Sequence, residues 1–280
     1  MSTMNLRKVS AASAAVLALA LTATACGSGE SEDSGKNDGK TIKVGIKFDQ
    51  PGIGQKTPQG TFTGFDVDVA TYVAKELGYT EKQIEFKETP SADRENALSR
   101  GDVEFIAASY SINDEREAKV DFAGPYLLAH QDLLIRADDK ISKAEELDGK
   151  TLCSVAGSTS AQNVKEKFAK GAQLKEYGTY SECLEGLQTG AVDALTTDDS
   201  ILAGYASQEQ YKGKFKLSGL SLSNENYGIG VKEGSALKDK INKALEKMVE
   251  DGSWDKAVEA NFGPANYKNE PAPKIGDIVK

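Results

Sequence analysis

The sequence predicts an α/β protein built from two lobes. From Thr41 onward, short β-rich segments alternate with segments of helical periodicity, which is typical of α/β sheets. The alternation occurs in two successive series of similar design, the second beginning near residue 137. The chain has 280 residues, and about 150 residues per domain allows roughly two domains. A composition of 39% hydrophobic and 28% charged residues excludes a collagen-like, wholly disordered or multi-span membrane chain.

The first series contains three predicted strands and two predicted helices. The strands are TIKVGIKF, IEFKE and DVEFIAAS, and the last of them runs into a loop. The helices are GFDVDVATYVAKELG, which Gly78 ends, and SADRENALSRG, which starts near Ser91. In the longer helix the apolar residues recur at helical spacing and predict a buried face: Val69, Ala70, Val73, Ala74 and Leu77.

The second series contains four predicted strands and three predicted helices. The strands are TLCSVA, QLKEY, VDALTT and KFKLSG, and the helices are TSAQNVKEKFAKG, SECLEGLQTG and SILAGYASQ. A further strand, NYGIGVK, precedes two amphipathic helices, Ser235 to Glu250 and Ser253 to Phe262. A unit of about 35 residues is too small to bury a core alone, so we expect these helices to complete the first lobe.

This return of the chain implies two crossings between the lobes, near Gln131 to Arg136 and near Leu222 to Tyr227, and these would act as a hinge. The first lobe is therefore predicted to be discontinuous, over 41–131 and 227–265. The second lobe is predicted over 132–226, and a Pro-, Lys- and Asn-rich irregular tail over 266–280.

Charge and residue content exclude two classes of partner. The formal net charge is −9, and removing Arg7 and Lys8 with an N-terminal leader makes it −11, so no nucleic-acid partner is expected. One histidine and three cysteines provide too few ligands for a His-rich zinc centre. No metal or other cofactor is predicted.

The N-terminus is predicted to be a secretory leader, over 1–25. Arg7 and Lys8 precede a short Ala/Leu-rich segment, Val9 to Leu21, which is too short for a stable membrane span. The ending TATAC resembles a bacterial lipobox, which implies that Cys26 is diacylated, with palmitate among the candidate acyl groups, and becomes the mature N-terminus. The pattern prefers Leu where this chain has Ala23. Residues 26–40 are polar and predict a flexible tether; an ordinary secreted protein is the alternative.

Export determines how the remaining cysteines are interpreted. Cys153 and Cys183 are the only pair left once Cys26 is lipidated, and a disulfide can persist outside the membrane. The alternative is two buried free thiols. A bridge would close a loop of about 31 residues, worth about 3–4 kcal/mol in the chain-entropy model.

Five motifs, in order along the chain, resemble the polar amino-acid-binding solute-binding proteins of ABC importers. They are GFDVDVA, SINDEREAKVDFAGPY, LDGKTLCSVAGSTS, LQTGAVDALTTDD and EDGSWDKAVEANFG, and the similarity covers roughly residues 41–265. The segments KFDQPGIG, SYSINDER and PYLLAHQ, with the paired cysteines, look most like actinobacterial glutamate-binding lipoproteins.

The resemblance implies a periplasmic-binding-protein type II fold that closes on one amino acid at the interlobe cleft. It also implies delivery of that amino acid to an ABC permease of the cytoplasmic membrane, by a monomer held at the outer face of that membrane by its lipid anchor. No catalysis is expected. An enzyme, a sensor lipoprotein coupled to a signalling receptor, and a binder of glutamine or another polar amino acid are the alternatives.

The resemblance also places the groups that would hold the α-amino and α-carboxyl ends of the ligand. Arg116 matches the arginine that binds the α-carboxylate, for which a guanidinium fork is the natural partner. Thr159, in the GSTS segment with Ser158, matches a second carboxylate contact. Asp198 matches the aspartate that pairs with the ammonium, and is preferred over its neighbour Asp199. Two further residues would complete the two shells: Ser109 and Ser111.

A selective pocket for an acidic side chain needs further cations. Lys47 lies at the end of the first strand, and Arg94 lies four residues before Leu98, on the same helical face. Acidic-amino-acid binders carry basic residues at both matching positions, with a serine where Ser91 stands. The prediction is glutamate first and aspartate second. The alternative is that both cations are solvated, or paired with Glu88 or Glu95.

Two other residues are ambiguous. Phe48 follows the first strand and would be either an apolar wall of the cleft or part of the core. His130 lies in the predicted hinge strand, where we expect a packed, hydrogen-bonded histidine with no ligand contact.

Overall fold

The computed structural model describes residues 39–280. The leader, Cys26 and most of the predicted tether lie outside the described residues. Twelve strands and eight α-helices follow one another along the described chain. None of these helices combines the length and the apolar character that a membrane crossing requires.

The first sheet region forms around β1 (Ile42–Ile46). On one side β1 pairs in parallel with β5 (Ile84–Glu88), and on the other with β6 (Phe105–Ile106). Strand β12 (Asn224–Lys232) is antiparallel to β6 and continues the sheet to β7 (Val120–Arg136). The segment DVEFIAAS was predicted as one strand, but only its centre pairs in the sheet.

The second sheet region uses the far end of the same strand β7. There β7 pairs antiparallel with β10 (Ala194–Asp198) and with β11 (Phe215–Leu217). Parallel neighbours β8 (Thr151–Val155) and β9 (Gln173–Tyr177) extend the sheet. The order across all main strands is β5-β1-β6-β12-β7-β10-β8-β9.

Strand β7 joins the two regions. Its residues up to His130 pair with β12, whereas those from Gln131 onward pair with β10 and β11. We call the strands on the β12 side, with their helices, the first lobe, and those on the β10 side the second lobe. The domain bounds given above, 41–131 with 227–265 and 132–226, stay a prediction.

The helices of the first lobe are α1 (Phe65–Glu76), α2 (Arg94–Arg100), the short α3 (Asp114–Glu117), α7 (Leu237–Glu250) and α8 (Ser253–Phe262). The C-terminal pair packs on α1: the rings of Phe65 and Trp254 meet edge to face at 5.9 Å between centroids, and the Tyr72 hydroxyl donates to Asp251. The last two helices therefore complete the first lobe, as expected from their size.

The helices of the second lobe are α4 (Thr159–Asn163), α5 (Tyr180–Thr189) and α6 (Asp199–Ser207). Helix α4 is shorter than predicted, because the chain continues from Val164 to Phe168 as a wider π-helical turn. The bridge Cys153–Cys183 is present, with 5.5 Å between the Cα atoms, and it ties β8 to α5. The disulfide prediction is confirmed.

A small antiparallel sheet covers one edge of the first lobe and was not predicted. It consists of β2 (Asp49–Gln50), β3 (Gly54–Lys56) and β4 (Phe62–Thr63). The tail 266–280 has no regular structure, as predicted, yet it is bound along the hinge strands: Asn226 exchanges two hydrogen bonds with the backbone of Val279.

Candidate functional site

One narrow pocket lies where the two lobes meet, and residues of both lobes line it. The residues that line it are Ser91, Arg94, Ser109, Arg116, Ser158, Thr159, Ser160, Tyr180, Asp198 and Ile201. Seven of the nine predicted ligand-binding residues are among them.

The two predicted residues that do not line the pocket, Lys47 and Ser111, each form a hydrogen bond with a residue that does. Lys47 is buried, and its Nζ donates to the Ser91 hydroxyl at 3.0 Å. Ser111 contributes its backbone carbonyl, which accepts a hydrogen bond from Arg116 at 2.7 Å. Lys47 therefore belongs to the same cluster, whereas Ser111 orients the arginine.

Arg94 is almost completely buried, with 2% of its surface exposed. It lies at the first residue of α2, and its Nη1 donates to the carbonyl of Ala108 at 2.9 Å. Its guanidinium carbon lies 4.1 Å from the centre of the Tyr110 ring. Within residues 39–280 no polar atom bonds its Nε. Within the described residues Arg94 forms no ion pair with Glu88 or Glu95, and Glu95 lies instead against Arg116.

Arg116 is also buried and spans the two lobes. Its Nη2 donates to the carbonyl of Gly157 at 3.1 Å, and its Nε lies 3.7 Å from a carboxylate oxygen of Glu95. A Cβ atom at position 157 would lie 2.7 Å from the Cα of Ala92, so the lobes touch closely beside this contact. Arg116 is therefore not a solvated surface charge.

Neighbouring cations contribute to lowered pKa values at Lys47 and Arg94. Burial, reinforced by Arg94, lowers the pKa of Lys47 to about 7. Burial, reinforced by Arg116, lowers the pKa of Arg94 to about 10. Three like charges gathered in a poorly solvated place repel one another, and a bound anion would relieve that repulsion.

Asp198 supplies the negative charge on the opposite side. It ends β10, where it accepts a hydrogen bond from the Tyr227 hydroxyl at 2.5 Å. Burial and the nearby Glu225 raise its pKa well above the usual range. A bound ammonium would reverse both effects, because a neighbouring positive charge favours the carboxylate.

Asp199, the competing candidate, lies outside this pocket lining. Its carboxylate accepts from the backbone of His130 at 3.0 Å and from the Tyr267 hydroxyl at 2.9 Å. The side chain of His130 is hydrogen-bonded to Asn224 and lies outside the lining as well. Phe48 packs against Phe62, with 5.1 Å between ring centroids, and does not line the pocket.

Ser109 is held in an unusual backbone conformation, with φ +44°. Two buried side chains fix it: Asp66 accepts from its backbone N–H at 2.7 Å, and Gln50 accepts from its hydroxyl at 3.0 Å. Burial raises the pKa of Asp66 to about 6, although the hydrogen bonds from Tyr126 and Ser109 act to lower it. Neither support residue was predicted from the sequence, although Asp66 is the first acid of the GFDVDVA motif.

Three lining residues were missed by the sequence analysis: Ser160, Tyr180 and Ile201. Ser160 directly follows Thr159 within the quoted motif LDGKTLCSVAGSTS, and Ile201 lies just after the motif LQTGAVDALTTDD, so considering the sequence neighbours of Thr159 and Asp198 would have found both. Tyr180 has no such signal, because its place at the first residue of α5 depends on where that helix packs.

The sequence profile of the bacterial extracellular solute-binding proteins, family 3, matches residues 42–264. The chain belongs to this family. A family 3 relative from Corynebacterium glutamicum, the glutamate-binding protein GluB, is 48% identical over 238 residues, which is 80% of this chain and 79% of the relative. The glutamine-binding protein GlnH of Bacillus subtilis is 41% identical over 221 residues, 78% and 80% of the two chains.

Solved structures agree with this family 3 assignment. An ancestral arginine-binding protein bound to arginine superposes with a TM-score of 0.74 at 38% identity, covering 80% of this chain and 98% of the other. The fold is the two-lobed α/β fold of the periplasmic-binding-protein type II class, as predicted. Among the described residues, no group of three or more His, Cys, Asp or Glu side chains is arranged to hold a metal ion.

Proposed function

We propose that this family 3 protein binds glutamate, and aspartate more weakly, and delivers it to an ABC importer. The observation that carries the proposal is the charge pattern of the pocket. Lys47, Arg94 and Arg116 are buried together, and Asp198 is the carboxylate among the described residues that line it. A ligand with two carboxylates and one ammonium complements this pattern.

Each end of the ligand has a proposed partner. Arg116 holds the α-carboxylate together with the Thr159 hydroxyl and the Ser158 segment, because a guanidinium fork binds a carboxylate through two parallel hydrogen bonds. Asp198 holds the ammonium, and Ser109 completes that end. Lys47 and Ser91, with Arg94, receive the side-chain carboxylate.

Long-range electrostatics support a dedicated cation pocket. The chain carries a formal net charge of −9, so its overall field repels an anionic ligand. Selectivity for an acid therefore requires a local concentration of positive charge, and the three cations supply it. An arginine or lysine side chain in the same place would meet like charges.

Glutamine is the strongest competing ligand, because a relative with 41% identity is a glutamine-binding protein. An amide would occupy the same volume, but it would leave the repulsion between Lys47 and Arg94 uncompensated.

A sensor lipoprotein would bind the same ligand but would act on a signalling receptor instead of a permease. An adjacent permease gene favours import, and an adjacent receptor kinase gene favours sensing.

The experiment is isothermal titration of the leaderless protein with the twenty amino acids. We expect glutamate to bind most tightly and aspartate second. Tighter binding of glutamine, or of any basic amino acid, than of glutamate would refute the assignment. Thermal shifts measured in parallel give the same ranking, since a ligand that binds the folded state raises its stability.

The anchoring proposal concerns residues outside the described part of the chain. We place the lipid on Cys26, at the outer face of the cytoplasmic membrane, and expect a monomer. A Cys26→Ser variant should be released into the medium, because the polar tract after Cys26 has no apolar surface to bind lipid. Retention of that variant on the membrane would contradict lipid anchoring.

A further inference from the structure

A second contact joins the lobes beside the pocket, through the segment 49–51. The Asp49 carboxylate accepts hydrogen bonds from the backbone N–H groups of Tyr180, at 3.0 Å, and Ser181, at 3.4 Å. These are the first two residues of α5, whose N–H groups have no partner inside the helix. The negative carboxylate therefore lies at the positive end of a ten-residue helix in the other lobe.

Helix α6 adds to the same contact. The Tyr205 hydroxyl donates to the backbone carbonyl of Asp49 and lies 3.2 Å from its carboxylate. One residue earlier, a Cβ atom at Gly204 would lie 2.0 Å from the carbonyl oxygen of Pro51. A backbone atom cannot move aside as the end of a side chain can, so this approach of the two lobes requires glycine at position 204.

The contact is separate from the ligand-binding groups. Of its residues Tyr180 alone lines the pocket, and Tyr180 contributes its backbone N–H to the contact. Asp49 and Pro51 belong to the first lobe, and their partners to the second. The hydrogen bonds therefore exist when the lobes are together and are lost when they separate.

We propose that the segment Asp49–Pro51 is a closure latch that sets ligand affinity without touching the ligand. The inference rests on the proposed function, in which closure on an amino acid is the binding event. The affinity of such a protein scales with the fraction of molecules able to close. Loss of the latch should weaken every ligand by the same factor, whereas loss of a pocket cation changes the ratio between ligands.

Gly204→Ala is the sharpest test, with Gly186→Ala as its matched control. Both glycines lie inside helices, where alanine is the better helix former. A Cβ at Gly186 would meet the Val192 side chain at 3.4 Å, which is an ordinary contact. In calorimetry with glutamate and aspartate, Gly204→Ala should weaken both at least thirtyfold, and Gly186→Ala should bind like the wild type.

Asp49→Asn tests the carboxylate itself. Because Asp49 raises the pKa of Lys47, the variant is measured at about pH 6, where Lys47 stays protonated and the removal of a negative charge would by electrostatics alone strengthen the binding of an anion. The latch predicts the opposite, a roughly tenfold weaker binding of glutamate and aspartate alike. The unfolding midpoint of ligand-free Gly204→Ala should equal or exceed that of the wild type, which a merely structural defect would lower.

The outcomes separate the latch from the function it rests on. Wild-type affinities in both Gly204→Ala and Asp49→Asn would overturn the latch and leave the proposed function intact. A loss that differs between glutamate and aspartate would also overturn it, because it would indicate a contact with the ligand. A wild-type protein that binds none of the twenty amino acids would overturn both.

Discussion

At the scale of single residues, we propose that Arg94 is the side chain that distinguishes an acid from an amide. It is buried, and its Nε is left without a partner among the described residues. Its nearest hydrogen-bond partners are backbone carbonyls, which do not neutralise its charge. A ligand carboxylate would therefore be its first ionic partner.

We expect Arg94→Ala to lower glutamate affinity by about 2–5 kcal/mol, as for the loss of one partner of a buried charge pair. Glutamine binding should fall much less. Arg100→Ala is the matched control, since Arg100 ends the same helix, is exposed and pairs with Asp102. Calorimetry of both variants with both ligands measures the effect, and an unchanged glutamate affinity in Arg94→Ala would remove Arg94 from the site.

We expect Lys47 to make ligand binding at the proposed site depend on pH. Its pKa is about 7 in the ligand-free fold, and a carboxylate placed beside it would raise that value. Above pH 7 the free protein loses this proton, so binding must take it up again. Glutamate affinity should therefore fall as pH rises from about 7 towards the unperturbed value of about 10.4.

The same shift affects stability with the opposite sign. A lysine whose pKa is lowered on folding costs stability while it is protonated, and that cost disappears as pH rises from about 7 to about 10.4.

Calorimetry between pH 6.5 and 9 measures how glutamate affinity changes with pH. Lys47→Met should abolish this dependence, and the exposed control Lys56→Met should keep it. A flat profile in the wild type would show that Lys47 stays protonated.

At the scale of elements, the bridge Cys153–Cys183 ties α5 to the sheet of the second lobe. The two cysteines are 30 positions apart. The bridge fixes the helix whose first N–H groups donate hydrogen bonds to the Asp49 carboxylate. The double variant Cys153→Ser, Cys183→Ser should lose about 3–4 kcal/mol of unfolding free energy in the chain-entropy model. Urea unfolding of this variant, and of the reduced wild type, measures it; equal midpoints for oxidised and reduced protein would contradict the estimate.

Other elements show where sequence periodicity fails. Strand β7 runs over 17 residues through both lobes, but its stretch from Gln131 to Ile135 is buried on both faces and carries no alternation. The strands of the small sheet β2 to β4 have two or three residues each, which is too short for any period to register. The π-helical turn after α4 likewise continues a helical sequence in a different hydrogen-bond pattern.

At the scale of the whole molecule, binding should be accompanied by compaction. Arg116 and Ser109 lie in the first lobe, and Thr159 and Asp198 in the second, so a ligand that contacts all four favours the closed arrangement. With saturating glutamate the radius of gyration should approach about 18 Å, the value for a compact chain of about 240 residues. Small-angle scattering with and without ligand measures this, and identical radii would argue against closure.

The sequence by itself determined the fold class and most strands and helices, and it predicted the return of the last two helices and the cations proposed for the pocket. Hydrophobic periodicity and the chemistry of an amino-acid ligand carry that information locally. Tertiary structure decided what depends on contacts between distant segments: the support of Ser109 by Asp66 and Gln50, the place of Tyr180, and the contact of Asp49 with α5. No local pattern encodes these, because each arises from which surfaces meet when the two lobes pack together.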